Sequence, residues 1–114
     1  MLYKELEHGV VYIFDEVIKL ITKVAITEVE GVECSSSIVK GNILHSLKGN
    51  YGSIKVTTES EEVIVDVTVG VIYGNNIPQV INKLQHVIKT HIELFTGFQV
   101  QEINVFVNQL LFQD

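Results

Sequence analysis

A chain of 114 residues, 46% hydrophobic and 19% charged with a single proline, fits one domain with one core and excludes a disordered or low-complexity protein. The formal charge of −6, with every one of the eight basic residues a lysine, argues against nucleic acid, whose phosphates demand a basic face. The same charge opposes adsorption to an anionic lipid surface, and the absence of arginine removes the fork used for bidentate phosphate or carboxylate recognition.

In chain order, Met1 to His8 is too charged for the apolar part of an export signal. Gly9-Val10-Val11-Tyr12-Ile13-Phe14 is β-branched and aromatic, which predicts a first strand. Asp15 is placed to cap a helix over Glu16–Glu30. On that helix Val17, Ile18, Ile21, Val24, Ala25 and Val29 share one side, and Lys19, Thr22, Lys23 and Glu30 point away. Gly31 supplies the left-handed stop.

Residues 33–51 are the least regular stretch. Cys34 is the chain's single cysteine, so an intrachain disulfide and a cysteine-based zinc site are excluded. A lone cysteine and no export signal predict a cytoplasmic protein. Ser35 to Ser37 have no partnering base and read as loop, while Ile43 to Leu47 suit a short helix. Gly49-Asn50-Tyr51-Gly52 after Lys48 has the Gly-x-x-Gly spacing of KH nucleic-acid loops. It leads into a strand rather than joining two helices, so a β-turn is expected.

Ser53–Glu59 and Glu62–Tyr73 alternate and predict a hairpin. The second strand carries Val63, Val65, Val67, Val69 and Val71 on one face and Ile64, Asp66, Thr68, Gly70 and Ile72 on the other. Asn76 and Pro78 open a second helix whose stripe, Ile77, Val80, Ile81, Leu84, Val87, Ile88, Ile92 and Phe95, runs to Gly97. A last strand begins near Glu102 with Ile103, Val105 and Val107 in phase; Val100 is out of phase, so a bulge or turn is expected near Gln101.

The order β-α-β-β-α-β predicts a two-layer α/β sandwich, residues 1–114 forming one domain. Two helices cover one face of a four-stranded, mainly antiparallel sheet, ferredoxin-like or similar. No apolar run reaches the ~20 residues needed to cross a bilayer, so direct membrane insertion is not expected.

Several of these segments together resemble the alkaline-shock protein family. They are Gly9-Val10-Val11-Tyr12-Ile13, Glu16-Val17-Ile18 and Glu28-Val29-Glu30-Gly31-Val32, then Val65-Asp66-Val67, Tyr73-Gly74, Ile77-Pro78, Thr96-Gly97 and Glu102-Ile103-Asn104-Val105. The resemblance runs from about residue 9 to 108 and rests on order and spacing rather than on any one motif. It implies a cytoplasmic protein of Gram-positive bacteria linked to envelope homeostasis or alkaline stress. Some members are held near the membrane by an anchored partner and others are tied to lipid metabolism. It supplies no catalytic residues to carry over.

Candidate sites reduce to two polar residues and one surface. Glu28 lies eleven positions after Val17, about 20° from the centre of the apolar stripe. It is expected to be a structural carboxylate taking backbone N–H groups after Gly31, because no second carboxylate or nucleophile is spaced to work with it. His91 sits between Val87, Ile88 and Phe95 and reads as a hydrogen-bonded core residue; His86 points to the opposite side, and His8 and His45 lie in irregular segments. No catalytic set, metal site or cofactor motif is present, so no enzyme is expected. Asp66 is expected in solvent or paired across strands.

The sheet face away from the helices carries Ile64, Ile72 and Phe106, with Tyr12 nearby, and is the candidate interaction face. Protein partners, a second copy among them, are expected there. An RNA-binding module of KH-like or ferredoxin-like type and a small-ligand sensor are the alternatives.

Overall fold

The valine strand organises the molecule. In the computed structural model, which describes residues 1–34, 53–59 and 61–113, Val63, Val65, Val67, Val69 and Val71 are all fully buried. Each such side chain contributes about 1.5–3 kcal/mol by leaving water. Among the described residues the elements are β1 (Leu2–Leu6), β2 (Gly9–Ile13), α1 (Asp15–Thr27), β3 (Val32–Cys34), β4 (Ile54–Glu59), β5 (Glu62–Ile72), α2 (Ile77–Thr96) and β6 (Gln99–Leu111).

β5 is the centre of a four-stranded sheet. β4 pairs antiparallel with its first half and β3 with Val69 to Val71. β6 runs parallel to it from Glu62 to Ile72. Since β6 takes one edge of β5 along its whole length, β3 and β4 must lie end to end on the other. Ile18, Ala25, Leu84, Ile88 and Ile92 pack with the valines in one core, so both helices share the valine face. The expected class holds: a two-layer α+β sandwich with a mainly antiparallel sheet.

Strand membership differs from expectation. The strand expected at Gly9–Phe14 does not join this sheet; it pairs with β1 in a separate two-stranded hairpin, Leu2 opposite Ile13 and Tyr3 opposite Tyr12. Only its base enters the core, through buried Leu2 and half-buried Ile13. The fourth strand of the main sheet is instead the short β3.

α1 is rotated and shorter than its periodicity suggests. It ends at Thr27, with Phe14 rather than Asp15 at the N-cap and no side-chain cap there. Asp15 is the first helical residue, and its carboxylate lies 3.3 Å from the Met1 amine. Val17 and Val24 are 47% and 39% exposed, whereas Thr22 and Lys23 are buried. Burial of Thr22 is tolerated because its hydroxyl donates to the Ile18 carbonyl at 2.8 Å, a bond hydropathy cannot register.

α2 matches its expected ends. The Asn76 side chain accepts from Gln79 N–H at 3.0 Å, and Gly97 closes the helix at φ 77°. Its last turn departs from the expected stripe, since Phe95 is 67% exposed. β6 starts at Gln99, earlier than expected, and bulges where Val100 falls out of phase. Val63 pairs with Val100 and Ile64 with Glu102, so Gln101 is skipped and both Val100 and Ile103 stay buried. The short helix expected at residues 43–47, the Gly49–Gly52 turn, Lys48, His45, Ser35 to Ser37 and Ser60 lie outside the described residues.

Candidate interaction surface

With period-two alternation, the face of β5 opposite its valines presents Ile64, Asp66, Thr68, Gly70 and Ile72. Their partners on β6 are Glu102, Asn104, Phe106, Gln109 and Leu111. Ile64 and Ile72 are half-buried and Phe106 is 57% exposed. Asp66 is paired across strands, its Oδ1 accepting from Asn104 Nδ2 at 2.8 Å. Gly70 lets Leu111 lie across it, since a Cβ there would come within 2.9 Å of Leu111 Cδ1. At the far end Tyr73 and Phe112 stack at 5.0 Å, both largely exposed.

The structure thus brings Ile64, Ile72 and Phe106 onto one face, but Tyr12 is elsewhere. It lies on the β1–β2 hairpin, 6.1 Å from the Tyr3 ring, because β2 never joins the main sheet. Periodicity within a strand assigns a face; it does not assign the neighbouring strand.

Glu28 and His91 meet. Glu28 Oε2 lies 2.7 Å from His91 Nε2, and His91 Nδ1 lies 3.0 Å from the Val87 carbonyl. The ring thus bridges the α2 backbone and the Glu28 carboxylate. Glu28 is not the buried carboxylate its stripe position suggests. The helix has already stopped, its side chain is 51% exposed, and its partner is α2 rather than the backbone beyond Gly31. His91 is more enclosed, at 24% exposure, with Phe95 edge-on to its ring.

The other reactive side chains are dispersed. His86 is exposed beside Lys89 in a groove of about 250 Å³, and His8 is exposed at the hairpin turn. Buried Cys34 lies 2.7 Å from the Ser53 hydroxyl. An open cleft of about 550 Å³ between Lys4, Glu61, Glu62 and Phe98 mixes both charge signs. Among the described residues no cluster of three His, Cys, Asp or Glu is suited to a metal ion, and no helix is long and apolar enough to cross a membrane.

One feature has no signature in the sequence: α2 reaches over the outer edge of β6. Glu93 Oε2 accepts from Val100 N–H and Gln85 Nε2 donates to the Ile103 carbonyl, each at 2.9 Å.

Among the described residues, two helices on a four-stranded sheet, with a mixed face that neither covers and dispersed reactive groups, define a small α+β protein. The family model of the alkaline-shock proteins, described as having a cell envelope-related function, matches residues 3–112. The chain belongs to this family, as the resemblance over residues 9–108 implied. It is 32% identical over 101 residues to "Uncharacterized protein YqhY" of Bacillus subtilis (strain 168), covering 87% of this chain and 75% of that protein. The solved structure "MamM CTD D249H - Copper form" shares the fold at a TM-score of 0.50 and 11% identity, over 84% of this chain and 98% of that one.

Proposed function

We propose that the chain is a non-enzymatic interaction protein within its cell envelope-related family, binding protein partners through the open sheet face. One observation carries this reading: among the described residues, Ile64, Ile72 and Phe106 share a face that neither α1 nor α2 covers, both being spent on the valines. A partly apolar sheet with few charges is a surface suited to a protein. The charge of −6 favours that over RNA, and the open, mixed-charge cleft gives a small ligand little enclosure. By the family resemblance the protein works in the cytoplasm in envelope-stress or membrane-lipid homeostasis, drawn to the membrane by an anchored partner.

The test is a crosslinking pull-down from the native host, comparing the wild-type chain with Ile64→Lys and Ile72→Lys. Specific envelope-related proteins should be retained by the wild type and lost from both variants while each stays folded. Identical retained sets for all three chains would refute docking on this face.

A further inference from the structure

We propose that the groove between α2 and the bulge of β6 receives an acidic side chain carried by an extended segment of a partner protein. Lys89 is its ion partner, and His86, Asn82 and Gln101 supply hydrogen-bond donors. The site is separate from the open sheet face and does not depend on docking there.

The helix wall comes from spacing. Asn82, His86, Lys89 and Glu93 recur at intervals of four, three and four, with Gln85 beside them, so they share one stripe of α2. Two members of the stripe fasten it to the strand. Gln85 donates to the Ile103 carbonyl, and Glu93 accepts from Val100 N–H. His86 and Lys89 fall between these two clamps, so the groove is fixed at both ends before anything binds.

The strand wall comes from the bulge. Gln101 has no partner on β5, because Val63 pairs with Val100 and Ile64 with Glu102. A bulged residue is released from the ladder and its side chain is re-aimed. Gln101 is exposed and borders the groove with Asn82, His86 and Lys89, around a volume of about 250 Å³.

Charge selects the occupant. None of the chain's 14 acidic residues falls between Ile77 and Ile92, a stretch that carries Lys83 and Lys89. α2 is thus a basic surface on an acidic protein. The carboxylates that border the groove already face donors: Glu93 accepts from Val100 N–H, and Glu102 lies 3.5 Å from Asn104 Nδ2. Among the described residues no ion pair meets Lys89 or His86, and no hydrogen bond engages the side chains of Asn82 or Gln101. All four of these side chains can donate, and one is an ammonium, the set a carboxylate needs.

Size and screening favour a peptide as its carrier. The groove is smaller than the roughly 300 Å³ at which small-molecule pockets begin, so it suits one side chain delivered from a chain lying across it. A nucleic acid would lay further phosphates over a surface of net charge −6. With a Debye length of about 8 Å at physiological salt, a single carboxylate at Lys89 is screened from most of that charge.

The test is a titration of the isotopically labelled full chain, followed by amide NMR, with a short peptide of alternating aspartate and glycine up to millimolar concentration. The signals of Asn82, His86, Lys89 and Gln101 should move, and should stay in place with the asparagine version of the peptide. Lys89→Glu should weaken binding about tenfold or more, the loss expected for a charged hydrogen bond. Lys55→Glu, on the open face opposite Asp66, should leave it nearly unchanged. Both lysines are exposed, so each variant should keep the wild-type circular dichroism spectrum. Ile64→Lys should bind the peptide like the wild type even where it loses partners in the pull-down, which separates failure of this site from failure of the open face. Equal binding by the wild type and Lys89→Glu overturns the proposal. So do signals that stay fixed at those four residues, or that move as far with inorganic phosphate or an oligouridylate as with the peptide.

Discussion

At the contact between Glu28 and His91, one half-exposed carboxylate joins the end of α1 to α2. An exposed pair is screened by water, and its contribution is about 0.2–1 kcal/mol. Glu28→Ala should therefore lower unfolding stability by no more than about 1 kcal/mol in urea, with Glu28→Gln losing less because its amide oxygen still accepts. A loss near 3 kcal/mol would mean that the carboxylate is buried in solution. The sequence made Glu28 conspicuous for a reason that does not hold in the fold. Its helical-wheel angle assumes that α1 continues to Glu30, but the helix stops at Thr27. His91 was legible as a hydrogen-bonded residue. Its partner was not, since the two lie 63 positions apart.

Among elements, those bounded by side-chain chemistry were the legible ones. Asn76 and Gly97 fix α2 through a cap bond and a left-handed turn, and both are visible as residue types. Asn76→Ala should cost about 1 kcal/mol and Asn76→Asp much less, measured by thermal unfolding; equal losses would show that the cap bond contributes nothing. α1 has no side-chain N-cap, and buried Thr22 and Lys23 sit where periodicity expects solvent, so its inner face was misread. β1 went unnoticed because Lys4 and Glu5 interrupt its alternation, although Leu2 is one of the most buried residues. The bulge at Gln101 was legible, because a one-residue phase error between Val100 and Ile103 has no other remedy in a strand that buries both.

Over the whole molecule, the layers follow from five valines and two apolar helix stripes, whereas strand neighbours do not. Alternation says which side of a sheet a residue faces and is silent on which edge its strand occupies. Tyr12 was accordingly assigned to the interaction face although β2 belongs to another sheet. The pairing that results has β5 flanked on both edges and the β1–β2 hairpin joined to the rest mainly at its base. In amide hydrogen exchange these two regions should behave as separate cooperative units. The N–H groups of Val65, Val67 and Val69 should exchange with solvent deuterium only when the entire chain opens, and their rates should report its global stability. Those of Lys4 to Val11 should exchange far faster and stay nearly indifferent to denaturant, because the hairpin opens without disturbing the sheet. Equal protection in both regions would mean that the hairpin is tied down along its full length.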